Sequence, residues 1–163
     1  MFSIGDRVVY PMHGAGIIEA IEEREILGQR KRYYIMRMPI GDMQVMIPVD
    51  GVEGVGLRQV SSEADVERVL EILGGERTSM STNWNRRYRA NAEKLRTGNI
   101  FEVAEVVRNL TLREREKGLS SGERRMLDNA RQILVSEVVL ARNIPQAEAV
   151  ALLEQAIGAG AAS

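Results

Sequence analysis

Residues 56–73 read GLRQVSSEADVERVLEIL, and within them the repeat of apolar positions changes. Val66, Val69, Leu70 and Leu73 recur at the spacing of one helix face, and Gly74 with Gly75 stops them. Upstream of Glu63 no such stripe can be drawn. The chain is therefore expected to pass from strands to helices through a connecting segment near residues 60–65.

The preceding sixty residues carry short runs rich in β-branched and aromatic side chains: DRVVYP, GAGIIEAIEEREI, YYIMRM and MQVMIPV. Turn signals separate them, namely HGAG, LGQRK, PIGD and VDGVEGVG. In the second run Ile17, Glu19, Ile21 and Glu23 share one parity, so its alternation is imperfect. In the last, Met43, Val45 and Ile47 alternate with Gln44, Met46 and Pro48. Four or five short strands in so few residues predict a small closed barrel or rolled sheet of the SH3-like or Tudor-like kind. Pro48 puts its strand at an edge, because proline cannot donate to a ladder.

Beyond Gly75, ERTSMS reads as a loop, and Thr82 or Asn83 can cap a helix running towards Gly98. Ile100, Ala104, Val107 and Leu110 give the next stripe, ending by Gly118. Ser120 and Glu123 then stand at capping-box spacing. They precede a stripe of Leu127, Ala130, Ile133, Leu134, Glu137, Val138 and Ala141. A last helix is expected from Pro145, burying Val150, Leu153 and Ile157, with GAGAAS as a frayed tail. The fold class is thus α+β in two domains. A small Tudor- or SH3-like barrel occupies residues 1–60, and an all-helical domain of four or five helices occupies residues 61–163.

Composition narrows the function. There is no cysteine, which excludes thiol catalysis, disulfides and thiolate metal sites. The single histidine, His13, lies in a turn signal and has no second imidazole with which to share a metal. The glycines of GAGIIEAI lead into a strand and do not form a phosphate-binding loop, and no Walker A sequence occurs. The carboxylates lie beside arginines on helix faces, the pattern of solvated surfaces. An enzyme, a cofactor and a small-molecule substrate are not expected. No apolar run approaches the roughly 18 residues that span a membrane, and the N-terminus lacks a signal-peptide pattern. A cytoplasmic monomer is the expectation.

Net charge is −1, but residues 83–99 carry Arg86, Arg87, Arg89, Lys94 and Arg96 against Glu93 alone. Such a patch marks where a polyanion would bind. The only tryptophan, Trp84, lies inside it. Trp84, Tyr88, Ala92 and Leu95 fall near one helix face, which favours a core anchor. Yet Trp84 is in the first turn, where free N–H groups and a partial positive charge suit phosphate. Arg86 and Arg89 share a face, with Arg87 on the neighbouring flank. Three guanidinium groups beside a flat ring suit a nucleic-acid backbone with a base step to wedge against. Both readings of Trp84 stand on these grounds.

Several long motifs, in order, resemble the CarD/CdnL family of bacterial transcription regulators. They are GDRVVYPMHGAGIIEAIEEREILGQRKRYY, MIPVDGVEGVGLRQV, TNWNRRYRANAEKL, AEVVRNL and GLSSGERRMLDNARQIL. The resemblance implies a Tudor-like domain that binds the β subunit of RNA polymerase and a helical domain that touches promoter DNA. It implies that Trp84 wedges into the minor groove at the upstream edge of the melted bubble. Asn83, Arg86, Arg87, Arg89 and Arg124 would contact DNA beside it. Arg24 would meet the polymerase, together with the strand edge at Val45, Met46, Ile47 and Pro48. Some relatives carry a basic residue where this chain has Met46, so no salt bridge is expected there; an apolar contact with strand pairing and a plain barrel-surface or core residue are both open readings of Met46.

The expected function is stabilisation of the open promoter complex with little sequence specificity, the arginines positioning phosphates and reading no base edges. The alternative is an adaptor that binds polymerase while its helical domain recruits another protein. The first half also resembles the polymerase-interaction module of the transcription-repair coupling factor, but the helicase motor that such a factor needs is absent from this chain.

Overall fold

The computed structural model describes residues 2–51 and 56–161, the side chains of residues 159–161 excepted. The turn expected over residues 49–56 therefore lies partly outside the described residues. Strands β1 (Arg7–Tyr10), β2 (Gly14–Ile26), β3 (Gln29–Arg37), β4 (Gln44–Pro48) and β5 (Arg58–Gln59) form an antiparallel sheet in the order β4-β3-β2-β1-β5. Val8, Ile18, Tyr34, Met36, Met38, Ile47 and Leu57, drawn from both ends of that order, pack into one core. The sheet is rolled around this core, and among the described residues no ladder joins β4 to β5. β4 is an edge strand, as Pro48 requires.

The uneven parity of β2 has a structural cause. Ile18 pairs with Met36 and Ala20 with Ile35, so Glu19 is an extra residue at a bulge. The bulge moves alternate positions to the opposite face, and the Glu19 carboxylate accepts from Arg37 and, at 2.9 Å, from Gln44. The turn expected over LGQRK is shorter than its composition implies. Only Leu27 and Gly28 make it, both with positive φ (53° and 78°), the two-residue hairpin turn that matches strand twist. β3 therefore starts at Gln29, and Gln29–Arg32 extend with the end of β2 as an exposed arm.

Five helices follow among the described residues: α1 (Glu63–Leu73), α2 (Trp84–Arg96), α3 (Ile100–Lys117), α4 (Ser121–Arg142) and α5 (Gln146–Ala161). α1 begins with a full capping box between Ser62 and Asp65. α3 and α4 carry most of the core, and Val66, Val69, Leu73, Leu95, Leu153 and Ile157 close onto them from α1, α2 and α5. α5 continues through Ala161 where a frayed tail was expected. No described helix is long and apolar enough to cross a membrane.

Candidate nucleic-acid interface

α2 starts where its sequence directs. Asn83 is its N-cap, with the side-chain oxygen 3.1 Å from the backbone N of Arg86. α2 is also the only described helix with no acidic residue in its first turn, so its positive end is left uncompensated. Along the helix, the stripe of four residues climbs out of the core. Leu95 is buried, Ala92 and Tyr88 are half-buried, and Trp84 is 43% exposed. The two readings of Trp84 are thus joined: the stripe anchors α2 at one end and presents the indole at the other.

The exposed indole is held firmly. Its Nε1 donates to Ser120 Oγ at 2.8 Å. Its ring stacks on Tyr88, with centroids 5.2 Å apart and planes 21° from parallel. Gly122 lies beside both rings, where a Cβ would fall at ordinary contact distance, 3.6 Å from Trp84 Cζ2 and 3.8 Å from the Tyr88 ring. Ser120 is in turn the N-cap of α4, accepting from Glu123 N. A side chain fixed on two sides and exposed on another is prepared for contact at small entropic cost.

Arg87 has a different place from the one its neighbours suggest. It is 4% exposed, and its Nε and Nη2 donate to Glu123 at 2.7 and 3.1 Å. Its Nη1 donates to the carbonyls of Ser81 and Thr82, tying the preceding loop to the helix. The DNA contact expected of Arg87 is therefore corrected. A guanidinium paired and enclosed in this way has no face for a phosphate. Glu123 also departs from the capping box. Its carboxylate accepts from Arg87 and from Ser120 Oγ, and its burial contradicts a purely solvated role for the helix carboxylates. The hydrogen bonds from Arg87 hold the Glu123 carboxyl below the usual carboxylate range, against the upward push of burial. The same pairing raises Arg87.

The exposed cations are fewer than the local charge excess implies. Lys94 is 3.2 Å from Glu105, and Arg96 pairs with Glu93. Arg86 and Arg89 on α2, and Arg124 and Arg125 in the first turns of α4, are exposed and without a carboxylate partner among the described residues. Tyr88 is on the stripe expected from the sequence, whereas Gly122 and Arg125 are additions from the structure. The signal for the last two was the run SSGERR, which starts the helix against which Trp84 rests.

In the barrel, Arg24 is exposed near the β2–β3 arm and pairs with Glu22 at 2.7 Å. Met46 and Pro48 point outward from β4, with Met46 38% exposed. Val45 and Ile47 do not. Val45 is half-buried against the core and Ile47 is 1% exposed within it, so any contact of these two through the strand edge would be made by their backbone. Alternation along a strand requires that Val45 and Ile47 face inward if Met46 faces outward. Only the backbone of the β4 edge is left for them to offer.

Residues 2–61 match the family described as CarD-like/TRCF RID domain, and residues 68–154 match CarD, C-terminal domain. The chain is similar to "Putative transcription factor YdeB" of Bacillus subtilis (strain 168), 43% identical over 146 residues that cover 90% of this chain and 95% of YdeB. It is also similar to the solution NMR structure of the 72-residue N-terminal domain of Myxococcus xanthus CarD. That likeness has 36% identity, covers 36% of this chain and 79% of the other, and has a TM-score of 0.32. Matched in its strands and in its helices, and by a relative over nine-tenths of its length, the chain belongs to the CarD family of transcription factors.

Proposed function

We propose that the chain stabilises the open promoter complex. Its barrel binds the β subunit of RNA polymerase, and Trp84 wedges into the minor groove at the upstream edge of the bubble. The observation that carries this reading is an indole exposed yet fixed by Ser120 and Tyr88, beside Arg86, Arg89 and Arg124. Tethering through the barrel raises the local concentration of the helical part, so that a weak DNA contact suffices. A step that is already unstacked spares most of the few kcal/mol that intact duplex would demand. The protein therefore binds the melted state more tightly than the closed one, which is the condition for shifting that equilibrium. Footprinting of a polymerase–promoter complex with and without the protein tests the reading. Added protection is expected at the upstream fork, and protection elsewhere or none would refute it.

Two further outcomes are expected. Of the four arginines expected on the DNA, Arg86, Arg89 and Arg124 remain once Arg87 is enclosed, so their share of the log–log salt slope of DNA affinity should be about −2 to −3. Each of Arg86→Ala, Arg89→Ala and Arg124→Ala should reduce it by about 1. A slope near zero would favour the adaptor. Arg24→Glu should weaken binding to an isolated β-subunit fragment at least tenfold, by placing a like charge where complementarity is needed; undiminished binding would remove Arg24 from the interface.

A further inference from the structure

Several of the polar contacts between the barrel and the helices meet at one side chain. Arg58, in β5, donates from Nη1 and Nη2 to the two oxygens of Glu137 on α4, each at 2.8 Å. The same guanidinium donates from Nε and Nη2 to the carbonyl of Gly98, at 2.9 and 2.7 Å. Gly98 follows the C-cap of α2, the helix that carries Trp84. Glu137 is 1% exposed, and its other donors are the backbone N and Oγ of Ser61, at 2.9 and 2.6 Å. Every recorded partner of this carboxylate thus comes from the last strand of the barrel or the segment leaving it.

The end of α2 is gripped from the opposite side as well. Gly98 has φ +70°, and a Cβ there would lie 2.8 Å from Pro11 Cγ in the β1–β2 turn. An apolar layer of Val9, Ala15 and Leu140 completes the junction, and Ala15 N donates to Ser136 Oγ at 2.8 Å. Linked domains ordinarily move relative to one another unless their interface is extensive and apolar. An ion pair with one buried partner, as Glu137 is here, is weak evidence of stability, since apolar replacements often serve as well. What a forked guanidinium shared between two helices does supply is direction.

We propose that Arg58 is a positioning residue that locks the barrel and the helical part into one rigid body, so that capture of the barrel by polymerase fixes where Trp84 stands. This rests on the function proposed above. The 13 residues of α2 make a lever of roughly 20 Å between the grip at Gly98 and the indole. A tilt of about 5° at the grip would move the ring by nearly 2 Å, half a stacking distance.

Backbone amide relaxation of the full chain is expected to give one rotational correlation time for strands and helices alike. Two distinct times in the native protein would overturn the proposal. In Arg58→Met combined with Glu137→Met, the junction keeps its volume and loses both charges of the pair and the hold on Gly98. This variant should bind the β subunit with native affinity and show separate correlation times. Its maximal effect on open-complex lifetime should fall several-fold, at an unchanged half-saturating concentration. Unchanged relaxation, or separate times with a native lifetime, would overturn the proposal. Trp84→Ala measured alongside separates the two ideas. If that variant also leaves the lifetime native, the wedge reading fails, while the relaxation result still decides the rigidity.

Discussion

Replacing Trp84 with alanine is expected to shorten the lifetime of the open promoter complex by about fivefold or more, with polymerase binding unchanged. Stacking of an aromatic side chain on a base is worth roughly 1–3 kcal/mol, which corresponds to about 5- to 150-fold. The effect on the fold should be small by comparison. The indole is 43% exposed, and its loss removes one hydrogen bond to Ser120 and one stacking contact with Tyr88. Those two together should cost about 1–2 kcal/mol of stability. Lifetime and thermal stability therefore respond on different scales, and measuring both assigns the residue. A native lifetime with a large loss of stability would return Trp84 to the core. Trp84→Phe sharpens the test, because it keeps a stacking face and loses only the bond from Nε1. It should retain a larger share of the lifetime than alanine does.

Much of the fold was legible because single positions carry unambiguous patterns. The change of period after Ser62, the edge placement of Pro48 and the alternation through Val45, Met46 and Ile47 all follow from local geometry. The same alternation turns Val45 and Ile47 inward, which leaves their backbone as what the strand edge presents. Even the uneven parity of β2 was a true signal, of the bulge at Glu19. What could not be read were pairings across long separations. Arg87 and Glu123 are 36 residues apart, and Arg58 and Glu137 are 79 apart. Each half of such a pair looks like one more surface charge until the partner is known. Glu137 fell on an otherwise apolar stripe, but that position alone names no partner. Trp84 illustrates the remaining gap. Periodicity placed it correctly on the stripe with Leu95 but could not say that the stripe rises out of the core before reaching it.

Arg87 separates a reading by local charge from a reading by structure. If it were one of the arginines on the DNA, Arg87→Ala would resemble Arg86→Ala, with a shallower salt slope and a stable fold. The buried pair predicts the reverse. Removing either partner leaves an uncompensated charge in a dry site, at a cost of about 3–5 kcal/mol. In a chain of this length that should lower Tm by roughly 10 °C. Glu123→Ala should match it, and Arg87→Met with Glu123→Met should recover much of the loss by removing both charges. The pair also sets the sign of a pH effect. Because Arg87 holds the Glu123 carboxyl below its unfolded value of roughly 4.3, its stabilisation is fully present above that value and is lost as pH falls through the folded one. Acid unfolding of the native chain should therefore be steeper than that of Glu123→Gln, which carries no proton-linked charge at this site. The only tryptophan sits three residues from Arg87 and bonds to the cap that Glu123 follows, so its fluorescence reports this transition directly. Matching acid profiles for the native and Glu123→Gln proteins, or a stable Arg87→Ala with a reduced salt slope, would put Arg87 back on the DNA surface.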